Sequence, residues 1–276
     1  MNFNSIGMNI EYILNRLWTD YIIQNPSAEK IYKLFKDEGE TVVNDHIAFR
    51  TLDYPEINIE VLARPFVNNG YEVKGEYEFR DKHLFARHYE LPDSDFWPRI
   101  FISQLILSDC SQFLQKTFND LIASVDHRRF AYDELLFSGT LFSPISYETY
   151  NRLREESEYA AWFYIFGFRA NHFTVGVNFL TRHNTIYKVN ELLKENGFLL
   201  NASGGEVKGT PEDLLLQSST MADIVSVEFS EGKFEVPACY YEFAQRFPDA
   251  NGQLYSGFVA KSADKIFEST NFYRKE

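Results

Sequence analysis

The sequence predicts an α+β protein in which two βαβββ units form a curved mixed sheet, a half-barrel, with helical additions at the N-terminus and between the units. Three observations lead there. First, "VNDHIAFRTL" reads as a strand, "INIEVLARPFVNNG" as a helix, and "YEVKGEYEFR", "HLFARHYEL" and "RIFISQLIL" as three more strands. Second, the order returns late in the chain: "NHFTVGVNFL", the helical "NTIYKVNELLKENG", then "FLLNASGG", "DLLLQSST", "IVSVEFS" and "PACYYEFAQRF". Third, each unit opens on a strand whose histidine, His46 or His172, directly follows an aspartate or asparagine. A period of two in the strands and of 3.6 in the helices separates the element types.

Residues 1–40 form a helical preface, in which Ile10, Ile13, Leu14 and Leu17 recur at helical spacing and Pro26 with Ser27 marks a break between two helices. Residues 41–108 hold the first unit. Its helix should run toward Gly70, with Pro65 ending or kinking it early. Residues 109–166 read as a helical insertion, with Phe113, Leu114, Phe118, Leu121 and Ile122 on one stripe and "SYETYNRLREESEYAAWFYIF" as a second segment. Residues 167–276 carry the second unit and a C-terminal segment, its helix capped by Asn184 and Gly197.

Composition narrows the function. With 40 acidic against 27 basic residues the net charge is −13, which repels nucleic acid and anionic membrane, so neither is expected as a partner. The N-terminus has no basic, apolar leader and no apolar run approaches a membrane span, so a soluble, unprocessed, cytoplasmic protein is expected. Cys110 and Cys239 fit neither a zinc spacing nor a disulfide framework. There is no G-x-S-x-G elbow, and the glycine-rich "NASGGEVKGT" lacks phosphate-loop spacing and reads as a hairpin or flap. The abundant Phe and Tyr are dispersed and default to core.

The two histidines then need explaining, because an apolar strand gains nothing from a buried imidazole whose nitrogens go unsatisfied. Alternation places His46, Ala48 and Arg50 on one face, and His172, Thr174, Gly176 and Asn178 on the corresponding face of the other strand. Small and polar residues there suit strands curving around a cavity. In "ACYYEFAQRF" the sole acid, Glu242, lies between Tyr241 and Phe243, company in which a carboxylate is almost never buried unpaired. Two histidines and a carboxylate from three strands make a facial triad that suits non-haem Fe(II) and leaves adjacent positions open. Arg50, about 13 Å along the strand from His46, could fork onto a substrate carboxylate. Blander readings compete: either histidine as a core residue, Glu242 paired with Arg246, Arg50 with Asp53 or Asp45. His83 and His88, at odd spacing on one strand, form no site, and His127 and His183 sit at element ends.

"NDHIAFRTLD", "RANHFTVGVNFL", "YYEFAQRF" and "GFVAKSADKIFEST" together resemble the DUF1338 family, of the 2-oxoadipate dioxygenase/decarboxylase type, whose core is like the vicinal oxygen chelate fold. The resemblance covers most of residues 40–270 and implies a single catalytic domain, 1–276, with an Fe(II) site on His46, His172 and Glu242. Arg50 matches the family's substrate-carboxylate arginine. The implied reaction converts 2-oxoadipate and dioxygen to 2-hydroxyglutarate and carbon dioxide, in lysine catabolism; another divalent metal could stand in for iron in a crystal. The chain looks shorter than many members, which leaves the substrate's chain length open. Two alternatives remain. A glyoxalase-like isomerase or lyase commonly uses a fourth protein ligand, for which the first unit's last strand offers Gln104 or Ser103, and a non-catalytic module would bind a small molecule without turnover.

Overall fold

The computed structural model describes residues 8–259 except 93 and 95. The expectations on residues 1–7 and on the closing "AKSADKIFEST" lie outside the described residues.

The preface folds as α1 (Ile10–Gln24) and α2 (Pro26–Asp37), capped by Asn9 and divided at Asn25, where Pro26 takes the first helical position that tolerates it. The first unit follows as β1 (Asn44–Leu52), α3 (Ile59–Val67), β2 (Glu72–Phe79), β3 (Leu84–Glu90) and β4 (Arg99–Leu105). Pro65 neither ends nor shortens α3, which runs on to Val67, its first turn capped by the Asn58 side chain. The insertion contributes α4 (Gln112–Ser124), α5 (Tyr147–Glu156) and α6 (Glu158–Phe166). The second unit gives β5 (Ala170–Gly176), α7 (Ile186–Glu195), β6 (Leu215–Ser219), the hairpin β7 (Ile224–Phe229) and β8 (Gly232–Pro237), and β9 (Glu242–Arg246).

Seven strands form one mixed sheet in the order β2-β3-β4-β1-β5-β9-β6, with β1 and β5 antiparallel at the centre. On each side of that seam the first strand of a unit runs parallel to its last, β1 with β4 and β5 with β9, so the two halves repeat each other about the middle. The repeat is incomplete in the second half. β7 and β8 leave the sheet as a separate hairpin, held against α5 by Phe234 stacked on Tyr147 at 3.7 Å. "FLLNASGG" forms no strand; it makes one isolated bridge, Leu200 to Thr220. β5 also stops at Gly176, and a short 3-10 turn carries Asn178 away from the histidine's face to bond the Arg246 backbone. The α7 cap is Thr185 rather than Asn184, and Asn196 precedes the left-handed Gly197.

Helices α1, α2 and α3 cover the outer face, where Phe173 packs on Trp18 and Tyr21, Phe49 on Phe66, and Phe243 on Phe35. α6 differs in kind. It is buried all round from Tyr159 to Phe166, as an apolar helix must be, and anchors to the sheet through Tyr159, whose hydroxyl lies 2.6 Å from the Ser103 carbonyl. The chain leaves α6 through Gly167, where φ is +61° and any Cβ would strike the Gly139 carbonyl.

Candidate metal centre

The central seam contains two irregularities that decide where the polar side chains go. Between Asn44 and His46, β1 advances two residues while β5 advances one; between Ala48 and Phe49 the imbalance reverses. Asp45 and Asn171 are therefore the extra residues of two β-bulges, one in each strand, and a bulge re-aims the side chain it carries. Simple alternation sends these residues to the face opposite the histidines. Instead each reaches the ring beside it: His46 Nδ1 lies 2.8 Å from Asp45 Oδ1, and His172 Nδ1 lies 3.0 Å from Asn171 Oδ1. That is why the histidine follows an acid or amide in both strands.

An imidazole that donates from Nδ1 presents its Nε2 lone pair, and both Nε2 atoms converge on Glu242. His46 Nε2 is 3.6 Å from Glu242 Oε1, His172 Nε2 is 3.3 Å from Oε2, and the two nitrogens are 3.4 Å apart. One ligand atom from each of the three residues lies within 4.8 Å of the other two, and this is a set that could hold a metal ion. Ligand bonds of about 2.1 Å would separate two ligand atoms by about 3.0 Å at right angles and about 3.4 Å at tetrahedral angles, so the two nitrogens already stand at the spacing of a ligand pair. Thr174, paired with His46 across the seam, brings its Oγ1 to 3.1 Å from His46 Nε2.

The electrostatics of the set suit a divalent cation. Burial lowers both histidines, His172 well below its usual range, so neutral rings with available lone pairs prevail at neutral pH. Burial raises Glu242 to about 8, against the hydrogen bond that Gln217 Nε2 donates to it at 2.6 Å. A divalent cation would displace that proton and neutralise a carboxylate that is otherwise costly to ionise here.

The partners of Asp45 correct two expectations. Arg246 does not pair with Glu242; its Nε and Nη2 grip Asp45 at 2.6 and 2.9 Å, and Arg99 approaches the same carboxylate at 3.7 Å. Burial alone would raise Asp45, but Arg246, His46 and Arg99 outweigh it and hold the acid well below its usual range. Nor does Arg50 pair with Asp45 or Asp53, whose carboxylate caps the Leu107 N–H at 2.9 Å. The Arg50 guanidinium instead lies over the rings of Tyr159 and Trp162, at 4.9 and 5.1 Å from their centroids. Both rings belong to α6, so the segment read as an insertion backs Arg50.

A small, partly open cavity between these groups is lined by His46, His172, Glu242, Arg50 and Asn171 among others, all buried. Gln217 and Tyr240, whose ring stacks on His172 at 4.8 Å, contribute polar edges, while Phe101 and Phe258 are apolar walls. Sequence reading missed all of these. Gln104 lies elsewhere and accepts from the Ile59 N–H at the start of α3. His83 precedes β3 in a left-handed turn, so only His88 is on that strand, buried between Tyr77 and Glu90.

The internal repeat also shows what the first half lacks. Glu242 pairs in register with Thr174, two residues beyond His172; the residue paired with Ala48, two beyond His46, is Phe101. A fourth ligand placed by the repeat would stand at Phe101, and phenylalanine cannot ligate.

Comparison with known proteins bears on what such a site does. Residues 15–250 match the family model described as 2-oxoadipate dioxygenase/decarboxylase. The chain is 34% identical to an Arabidopsis thaliana protein named 2-oxoadipate dioxygenase/decarboxylase, chloroplastic, over 94% of this chain and 76% of that one. Among solved structures it is similar to hydroxyglutarate synthase from Oryza sativa, in complex with 2-oxoadipate (32% identity, TM-score 0.88, 94% of this chain and 91% of that one). A Shewanella frigidimarina NCIMB 400 protein described as a candidate hydrolase is 48% identical, with TM-score 0.87, over 91% of this chain and 98% of its own.

Proposed function

Because the chain belongs to the 2-oxoadipate dioxygenase/decarboxylase family, we propose that it is an Fe(II) enzyme that converts 2-oxoadipate and dioxygen to 2-hydroxyglutarate and carbon dioxide, a step of lysine breakdown in a cytoplasmic setting. The observation that carries this reading is the convergence of two histidine nitrogens and one carboxylate in a cavity whose lining also includes an arginine. His46, His172 and Glu242 are the ligands. Bound there, ferrous iron supplies Lewis acidity and the electrons that dioxygen activation needs, with coordination positions left open by a three-residue set.

The residues of the chain do the rest. Asp45 and Asn171 hold the two rings with Nδ1 protonated, so that Nε2 is available. Arg50 binds the carboxylate of the substrate farthest from the metal; its guanidinium, planar by resonance, lies against Tyr159 and Trp162 and can meet one carboxylate at two points. Burial of the lining keeps bulk water from the reacting atoms. The whole chain acts as one catalytic unit, since ligands come from both halves. Phe101 at the repeat-related position weighs against the four-ligand isomerase reading.

The test is anaerobic reconstitution with Fe(II), then oxygen uptake with 2-oxo acids of increasing length and product identification by mass. One dioxygen consumed per 2-oxoadipate, with 2-hydroxyglutarate and carbon dioxide formed, is the expected result. Ligand binding without oxygen uptake would leave a non-catalytic module, and hydrolysis without oxygen would support the activity suggested by the Shewanella description.

A further inference from the structure

The two bulge residues do the same work on their histidines with different chemistry. Asp45 accepts from His46 and spends its remaining capacity on Arg246 and Arg99. Asn171 accepts from His172 through Oδ1, and its Nδ2 has no hydrogen-bond partner among the described residues although Asn171 is only 1% exposed. The orientation of that amide is fixed by chemistry: if His172 is to offer Nε2, its Nδ1 carries the proton and must face an oxygen. The donor end of Asn171 is then the orphan, on a residue that lines the cavity. In register, the bulge sets Asn171 between His172, opposite Ala48, and Ala170, opposite Phe49, which is the stretch of cavity between the histidines and Arg50. An aspartate would orient His172 equally well, as its counterpart does for His46, but would present a negative charge where the asparagine presents an N–H.

We propose that Asn171 is a substrate-contacting residue, whose Nδ2 donates to the distal carboxylate of the bound 2-oxo acid beside Arg50, while its Oδ1 holds His172. The inference rests on the function proposed above and deepens it: the cavity selects dicarboxylic over monocarboxylic 2-oxo acids through two donors, one charged and one neutral. The neutral donor adds selectivity without a second buried cation, and its own desolvation is relieved only when an acceptor arrives.

The test measures binding rather than turnover. Wild type and Asn171→Asp are loaded with Mn(II) under nitrogen and titrated calorimetrically with 2-oxoadipate and with 2-oxohexanoate, which has the same carbon chain without the distal carboxylate. In Asn171→Asp the Mn(II) affinity should fall no more than about threefold below wild type and can rise, because the acceptor for His172 is preserved and the added negative charge favours the cation. Affinity for 2-oxoadipate should fall at least tenfold and that for 2-oxohexanoate less than threefold. Unchanged 2-oxoadipate affinity, or equal loss for both acids, overturns the role of Asn171. Wild type that binds neither acid overturns the proposed function instead, and this inference with it. Should the aspartate variant fail to fold, Asn171→Leu at saturating Mn(II) removes the donor without adding charge, and the same difference between the two acids is required.

Discussion

Replacing Asp45 by asparagine tests whether the residue behind His46 serves the metal or merely the fold. The carboxylate is buried, accepts from His46 Nδ1 at 2.8 Å, and balances Arg246 at 2.6 and 2.9 Å with Arg99 at 3.7 Å. Asparagine keeps the shape and one acceptor but removes the charge. Arg246 retains the Tyr255 and Gly257 carbonyls, at 2.9 and 2.7 Å, so the loss should sit near the lower end of the range for a broken buried pair, about 3 kcal/mol. For a chain of this size that corresponds to a melting point lower by about 6 to 12 °C. Loss of the charged partner should separately weaken metal binding about 10- to 100-fold, the usual effect of removing a group that orients a ligating histidine. Both numbers are measurable on one preparation: urea unfolding of the metal-free protein, and anaerobic Fe(II) titration against a chromophoric chelator under conditions where the variant is fully folded. A folded variant that binds Fe(II) as wild type does, while losing stability, would refute the orienting role and leave Asp45 as a counter-ion for Arg246 alone.

Three further outcomes are expected. Arg50→Lys keeps the charge but loses the planar fork, so it should retain iron, use 2-oxoadipate poorly in oxygen-uptake assays, and be hurt much less with a monocarboxylic analogue; equal losses would assign Arg50 to the strand instead. Glu242 is raised by burial to about 8 in the folded, metal-free protein, so the folded state binds the extra proton, and the stability this gives is lost as pH rises from about 4.5 through about 8, at no more than about 1.4 kcal/mol per pH unit. Glu242→Gln should flatten that component in urea titrations of metal-free protein between pH 5 and 8, and parallel profiles for the two proteins would contradict it. Glu40 is held at about 2: burial would raise it, but hydrogen bonds from the Thr181, His183 and Arg182 N–H groups and the Thr181 hydroxyl prevail. The resulting stability is present above about pH 4.5 and lost as pH falls through about 2; Glu40→Gln should forfeit most of it at neutral pH, and an unchanged urea midpoint would show the cluster to be worth little.

What the sequence determined by itself is whatever depends on local period and on residue chemistry that cannot be hidden. Alternation along "NDHIAFR" and "ANHFTVG" set His46 and Arg50 on one face and gave His172 its counterpart position, and an acid between Tyr241 and Phe243 advertised Glu242. The doubled order of elements was legible for the same reason, because a strand or a helix declares itself within a few residues. The partners of these groups were decided only by tertiary structure. A bulge is a mismatch between two strands, so no period within β1 or β5 reveals that Asp45 and Asn171 turn toward the histidine rings, although the repeated acid-or-amide-then-histidine pair was the visible trace. Arg246 looked closest to Glu242 because it lies four residues away in sequence, yet folding carries it to Asp45 across the sheet, where the stronger, already ionised acid takes it. The wall behind Arg50 comes from α6, whose aromatic residues are indistinguishable from core until their contacts are known. Phe101 took its meaning only when the registers of β1 with β4 and of β5 with β9 could be compared. Side-chain chemistry is written residue by residue, whereas register is a relation between distant segments that the chain settles only when it packs.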